Sequence, residues 1–178
     1  SIVGGLVGAN YATNAATEET SYAYATISNS YASGNVTTTG TSSRLGGLVG
    51  ENHSTPAMPN GYSYCTITDS YATGNVTTGA GTATYYAYAG GLVGNNYSEL
   101  SGGLASYCYV INGYATGNVS STGDYSRVGW LAGANILSGS LSSIANSYAV
   151  NSVTNGGITG ASIGAFVGYN FFGTYANN

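Results

Sequence analysis

The pentapeptide Gly46-Gly47-Leu48-Val49-Gly50, followed two residues later by Asn52, is the stretch of this chain that decides its fold. The pattern occurs five times in the 178 residues, each time with an Asn two residues after its last glycine. The intervals between copies are 42, 44, 39 and 35 residues, because the copies begin at Gly4, Gly46, Gly90, Gly129 and Gly164. An internal repeat of this length is typical of stacked repeat architectures.

A second motif alternates with the first. It runs from Ile27 to Val36 as Ile-Ser-Asn-Ser-Tyr-Ala-Ser-Gly-Asn-Val, recurs at residues 67–76 and 110–119, and returns in weaker form at 144–153. Most of the length variation lies just after the repeated Asn, at residues 11–23, 53–63 and 97–106. These stretches are therefore predicted to be loops or irregular extra strands on one side of the molecule.

The composition excludes several classes of protein. Only 4% of the residues are charged, with two Lys and Arg together, against about 25% in an ordinary soluble domain. A nucleic-acid partner is excluded, because two cations supply no basic surface. No apolar run is long enough to span a membrane, and abundant Gly and Tyr favour strands and turns. The start at Ser1 suggests a processed form or an excised piece.

Together the two motifs resemble the GLUG repeat, and the resemblance covers nearly the whole chain. It weakens in the fourth repeat, at Trp130, Ala132 and Val150. Such repeats occur in large bacterial and archaeal surface proteins, including adhesins and cell-wall-attached proteases. The resemblance implies a repetitive extracellular β scaffold, with the chemistry of the protease members carried by other domains.

The predicted fold is all-β, a single parallel β-solenoid over residues 1–178 with about four coils of 35–44 residues. Units this short bury an apolar face only by stacking on one another. The repeats are predicted at roughly 1–44, 45–88, 89–127 and 128–162, with a partial repeat at 163–178. Right-handed winding is the default for parallel crossovers.

Equivalent residues are expected to form columns about 4.8 Å apart along the stack. An apolar core column is predicted at Leu6, Leu48, Leu92, Leu131 and Phe166, and a second at Ile27, Ile67, Val110 and Ile144. An Asn ladder, with side-chain amides bonding along the stack at a turn, is predicted at Asn10, Asn52, Asn96, Asn135 and Asn170. Asn35, Asn75 and Asn118 form a shorter column. Stacked tyrosines are predicted at Tyr31, Tyr71, Tyr114 and Tyr148, and at Tyr24, Tyr64 and Tyr107.

The two cysteines, Cys65 and Cys108, occupy the same repeat position. If each repeat makes one coil, their Cα atoms lie about 4.8 Å apart, which permits a disulfide. If each repeat makes two coils, the distance doubles and a bridge is impossible. The alternative to a disulfide is a pair of buried free thiols in a column of small residues.

Residues with reactive side chains are few and scattered. His53 is the only histidine and is interpreted as a loop residue rather than a base or metal ligand, and of the carboxylates only Glu18 and Glu19 are neighbours. No cofactor, no metal and no enzymatic activity are therefore predicted. Arg44 and Arg127 share a repeat position about 10 Å apart, which suits solvated charges or a site for an anionic sugar. Candidate glycosylation sequons lie at Asn35, Asn52, Asn75, Asn96 and Asn118.

Three functions fit these features. The first is a non-enzymatic extracellular subunit that stacks end to end into a surface filament, since bare solenoid ends with little charge expose unpaired edges. The second is an adhesin or carbohydrate-binding segment, in which Tyr85, Tyr86 and Tyr88 contact glycans. The third, a minor hypothesis, is ice binding through threonines such as Thr37, Thr38 and Thr39. The expected partners are further copies of the chain and glycans.

Overall fold

The computed structural model describes residues 1–14, 20–102 and 104–176. Within these ranges the chain is built from 23 short strands and contains no helix, so no helical segment is long and apolar enough to cross a membrane. Glu18 and Glu19, the neighbouring carboxylates of the sequence, lie outside the described residues.

Strands follow one another in the same order in every repeat. The first layer contains β1 (Ile2–Gly4), β2 (Val7–Asn14), β3 (Ser21–Ser28), β4 (Tyr31–Ala32) and β5 (Val36–Thr37). The second contains β6 (Arg44–Gly46), β7 (Val49–Pro56), β8 (Gly61–Thr68), β9 (Tyr71–Ala72) and β10 (Val76–Thr78). The third contains β11 (Ala87–Gly90), β12 (Val93–Ser98), β13 (Ala105–Ile111), β14 (Tyr114–Ala115) and β15 (Val119–Ser121).

The fourth layer contains β16 (Ser126–Gly129), β17 (Ala132–Leu137), β18 (Leu141–Ala145), β19 (Tyr148–Ala149) and β20 (Val153–Asn155). The last layer contains β21 (Ser162–Gly164), β22 (Val167–Phe171) and β23 (Thr174–Ala176). The stretches predicted as loops or extra strands mostly lengthen the second and third strands of each layer. The longest of these strands have eight residues.

Equivalent strands of successive layers pair in parallel and form five sheets, which we call A to E in chain order. Sheets A, B and C each have five strands, and sheets D and E each have four. The register joins one repeat to the next, so that Gly46 pairs with Gly4 and Gly90, and Asn52 pairs with Asn10 and Asn96. The predicted all-β parallel solenoid is confirmed, while its coil count and handedness stay predictions.

The apolar core lies in two main clusters. One combines sheets B, C and D with the corner leucines and includes Leu48, Val49, Ile67 and Ala72. The other lies between sheets A and E and includes Leu45, Val76 and Val128. The two apolar columns expected from the sequence meet in the first cluster, since Ile67 and Leu48 belong to it together.

The corner between sheets A and B requires glycine because two backbones approach closely there. A Cβ at Gly50 would lie 2.7 Å from the backbone nitrogen of Val3, and one at Gly94 would lie 2.6 Å from that of Leu45. Real Cβ atoms do not approach backbone this closely. Neither glycine has a positive φ, so the close approach of two backbones, and not a left-handed conformation, explains the glycines at this position.

Depth in the stack decides how well each leucine is buried. Leu48, Leu92 and Leu131 are fully buried, and Phe166 packs against their cluster. Leu6 occupies the same column but is 49% exposed, because its layer has a neighbour on one side only.

This difference gives a matched pair of substitutions. We expect Leu92→Ala to lower the free energy of unfolding by about 3 kcal/mol, because it leaves a cavity between two layers. Leu6→Ala should lower it by about 1 kcal/mol, since half of that side chain already meets solvent. Urea denaturation followed by circular dichroism measures both, and equal losses would contradict the assigned depth of the column.

Candidate functional site

A continuous ladder of Asn side chains runs through the interior of the stack. The Nδ2 atoms of Asn10, Asn52, Asn96 and Asn135 each donate to the Oδ1 of the Asn in the next layer, at 2.8, 2.7, 2.9 and 3.0 Å. The last acceptor is Asn170, and the first four side chains are buried. Asn52 Nδ2 also donates to the carbonyl oxygens of Cys65 and Tyr109 in sheet C, at 3.4 and 3.3 Å. The ladder therefore ties sheet B to sheet C and meets the hydrogen-bond needs of its buried amides.

The expectation that this Asn column forms a turn is wrong, because all five residues lie within strands of sheet B. The left-handed turn belongs to another column, two residues after the repeated Ile or Val. Positive φ angles of 48° to 53° occur there at Asn29, Asp69, Asn112 and Asn146. Asn and Asp tolerate this conformation best among side-chain-bearing residues, so the repeated Asn or Asp at this position is the sequence signal for the turn.

The second Asn column lies on the surface and bonds differently. Asn35 Oδ1 accepts the backbone N–H of Asn75, and Asn75 Oδ1 accepts that of Asn118, both at 2.9 Å. Asn118 Oδ1 accepts from Ser152 in turn. All three residues are exposed, so their sequons are accessible to a modifying enzyme. Asn52 and Asn96 are fully buried, and glycosylation at these two positions is incompatible with the fold.

Tyrosine rings stack along two outer columns. The centroids of Tyr31, Tyr71, Tyr114 and Tyr148 are 5.3, 4.6 and 5.2 Å apart in succession. Tyr24, Tyr64 and Tyr107 stack at 5.0 and 4.8 Å. Both columns predicted from the sequence therefore form parallel ring stacks on the surface of sheets D and C.

The two cysteines pair in register on β8 and β13, at neighbouring positions of adjacent strands. Both are buried free thiols in this structure, so no disulfide joins them. Cys65 donates to the carbonyl oxygen of His53, and Cys108 to that of Tyr97. Burial raises the pKa of the Cys108 thiol well above its ordinary value. This register permits a disulfide between the two cysteines, and the formation of that disulfide stays a prediction.

The interpretation of His53 as a loop residue is wrong, because it lies within β7, and charged groups gather around it. His53 Nε2 lies 3.1 Å from Glu99 Oε2, and His53 Nδ1 lies 3.9 Å from Glu51 Oε1. Glu51 in turn forms an ion pair of 2.7 Å with Arg44. Stacking brings these residues together, because one layer separates positions about 44 residues apart. Aligning the repeats would have placed His53 against Tyr97 and Glu51 against Asn95, which is the register observed.

The environment of His53 favours its neutral form. Burial lowers the pKa of His53 below its usual 6.5, and this effect outweighs the opposing influence of Glu51 and Glu99. The ring also lies between two tyrosines, edge-on to Tyr11 and stacked on Tyr97, each at 4.8 Å. Across the described ranges no group of three or more His, Cys, Asp or Glu is arranged to hold a metal ion.

Side chains of sheets A and B meet across the corner between them, Arg44 with Glu51 and Arg127 with Tyr169, and we call this region the A–B groove. Arg44, Tyr88 and Arg127 lie in register on its sheet A side. The guanidinium carbon of Arg127 lies 3.4 Å from the ring centroid of Tyr169, which belongs to sheet B, and 3.8 Å from that of Tyr86. An open pocket of about 150 Å³ adjoins the groove and is lined by Ser42, Arg44, Thr84, Tyr85, Tyr86 and Tyr88. The three tyrosines that the sequence suggested as glycan contacts thus line one pocket.

Comparison with known proteins gives one match. The family model of the GLUG motif matches residues 41–77. These residues extend from the turn before β6 to Thr77 in β10, so the match covers the second layer except for its last strand residue, Thr78. No curated protein and no solved structure matches the chain. The family match confirms the resemblance for the second repeat.

A substitution in the buried ladder tests its contribution to stability. Asn96→Asp removes the amide donors to Asn135 Oδ1 and Ser142 Oγ and buries a carboxylate. We expect a loss of about 3 kcal/mol in the free energy of unfolding at neutral pH. Burial raises the pKa of the new carboxyl in the folded state, so the loss should be small below about pH 4 and grow as the pH rises.

The exposed Asn118 supplies the control for this experiment. Asn118→Asp keeps the oxygen that accepts from Ser152 and places its charge in solvent. Urea denaturation of both variants and the parent chain at several pH values measures the effect. Equal, pH-independent losses in the two variants would contradict a buried hydrogen-bonded ladder.

The titration of His53 is a second test of this region. We expect an NMR titration to give a pKa below 6.5, and Glu99→Gln to lower it further by removing a carboxylate that favours the charged ring. Because the folded pKa is depressed, the stability linked to His53 is present above pH 6.5 and is lost as the pH falls through the folded pKa. A pKa above 6.5 would show that the carboxylates outweigh burial.

Proposed function

Because this chain is a parallel β-solenoid whose second repeat matches the GLUG motif, we propose that it is a non-enzymatic structural protein of the cell surface. In this proposal its solenoids stack end to end into an extracellular filament. The observation that carries the proposal is the state of the two end layers, which expose both core residues and unpaired strand edges.

Core columns are open to solvent at both ends of the stack. Leu6 is 49% exposed in the first layer, whereas Leu48 in the second is fully buried. Ile163 in the last layer is 54% exposed, whereas its register partner Val128 is fully buried. Exposed apolar surface of this kind favours a contact that covers it. A second copy of the chain supplies surfaces of matching pattern, because both ends are slices through the same columns.

The hydrogen-bonding pattern at the two ends is complementary. The strands are parallel, and each ladder Asn donates from Nδ2 to the Oδ1 of the next layer. In a head-to-tail stack, Asn170 of one copy lies next to Asn10 of the following copy. The Asn ladder then continues from one copy into the next. In the same arrangement Gly4 of the following copy lies next to Gly164, and its Leu6 lies next to Phe166. Such a contact is heterologous, and it generates an open fibre when it does not close.

The described strands at the two ends of the stack carry none of the usual protection against edge pairing. The outermost strands β1, β2 and β3 at one end, and β21, β22 and β23 at the other, contain no charged residue and no proline. Charges and proline are the common means of blocking such edges. The contact between two copies, which we call the joint, would be formed by sheets A, B and C, because the last layer has strands in these three sheets.

Electron microscopy of the purified chain tests the stacking. We expect fibres with an axial subunit repeat of about 24 Å, from five layers spaced about 4.8 Å apart. Leu6→Lys and Ile163→Lys should each abolish the fibres, because either puts a charge without a partner into the joint. Both side chains are half exposed in the single chain, so circular dichroism should show that the variants remain folded.

A charge on the side of the stack is the matched control. Thr73 is exposed and lies in the second layer, away from both ends, so Thr73→Lys should leave the fibres intact. Sedimentation velocity over a wide concentration range gives an independent measure of assembly. A parent chain that stays monomeric, or end variants that assemble as it does, would overturn the proposal.

A further inference from the structure

The A–B groove contains a positive charge, that of Arg127, for which the described residues supply no carboxylate partner. Arg44 is paired with Glu51 at 2.7 Å. No ion pair within the described ranges involves Arg127, the other arginine of the chain. The positive charge of Arg127 thus has no ion-pair partner in these ranges, although the chain as a whole has a net charge of −4.

Arg127 is also held in a fixed position. Its guanidinium lies between the rings of Tyr86 and Tyr169, at 3.8 and 3.4 Å from their centroids. Its guanidinium carbon also lies 5.7 Å from the ring centroid of Tyr88. With two rings this close to the guanidinium carbon, the N–H donors at the edge of the planar group are the part left for an outside acceptor. An ordered guanidinium edge matches the two oxygens of a carboxylate or sulfate group.

The neighbouring pocket has the lining that sugars require. Its tyrosine rings offer flat apolar faces, and Ser42, Thr84 and the tyrosines offer hydroxyl groups. Tyr85 is 70% exposed, so its ring is available for contact. A volume of about 150 Å³ is smaller than the pockets that hold drug-sized ligands, and it suits one sugar ring of a longer chain.

Pocket and charge lie side by side, because Tyr86 and Tyr88 line the pocket and also contact Arg127. We propose that the A–B groove binds acidic oligosaccharides, with one sugar ring against Tyr85 and Tyr86 and its anionic group on Arg127. The site is on the side of the stack, so the proposal does not depend on filament formation. The recognised chemistry is an anionic group on a sugar ring, whether it is a uronate or a sulfate ester.

Isothermal titration calorimetry with defined oligosaccharides tests the site. The probes are a trigalacturonate, a sulfated galactose trisaccharide and a neutral galactose trisaccharide of the same length. We expect at least one acidic probe to bind about tenfold or more tightly than the neutral one, with an affinity that falls as salt is added. The two acidic probes distinguish a uronate from a sulfate ligand.

Substitutions connect the binding to the named residues. Arg127→Gln should weaken acidic binding about tenfold and leave the affinity for the neutral probe unchanged, whereas Arg127→Lys should retain part of it. Tyr85→Ala should weaken every probe that binds. Tyr148→Ala removes an exposed ring from sheet D and should change nothing. Circular dichroism establishes that each variant is folded.

Several results would overturn the proposal. Equal binding of acidic and neutral probes would show that Arg127 contributes no selectivity. An Arg127→Gln variant with full affinity would place the site elsewhere, and failure of all three probes to bind at millimolar concentration would remove the site altogether. The same titrations on the Leu6→Lys variant separate this site from the stacking, because that variant alters an end layer and leaves the groove intact.

Discussion

Parallel, in-register pairing of one repeat on the next is the constraint on which the rest of this structure depends. Each strand of a layer finds its hydrogen-bond partners in the layers above and below it. A residue at a given repeat position therefore meets its own equivalents at about 4.8 Å on either side. Leucine, asparagine and tyrosine form columns, because contacts between identical side chains of these types stabilise the stack.

The same constraint explains why the chain carries so little charge. A charge at a repeated position would face a like charge in the next layer, and such pairs are destabilising. The few charges present follow this rule: Arg44 pairs with Ile2 and Tyr88, and Glu51 pairs with Ala9 and Asn95. Low charge is thus a property of the stack itself, and it also leaves the two end layers without charged side chains on their strand edges.

The two proposed roles use different surfaces of one scaffold. The ends expose slices of the repeated columns, and their pattern suits another copy of the same pattern. The A–B groove interrupts the repetition: Arg127 occurs where the neighbouring layers have Tyr88 and Ser162, and this departure produces a local charge among aromatic rings. A binding site in a solenoid can thus arise where a residue differs from its equivalents in the neighbouring repeats.

The sequence by itself determined the fold class, the layer register and the identity of most columns, because a repeat that stacks in register shows in its spacing which residues become neighbours. It placed the Leu, Asn and Tyr columns without reference to three-dimensional contacts. Only the tertiary structure decided which face each column occupies, so it moved the Asn10 column from a turn to the buried interior and excluded Asn52 and Asn96 as glycan sites. It also revealed the contacts between sheets, such as Arg127 with Tyr169 and Arg44 with Glu51. Those contacts depend on how the corner between sheets A and B folds, and the angle of that corner is set by packing around glycines rather than by the period of the repeat.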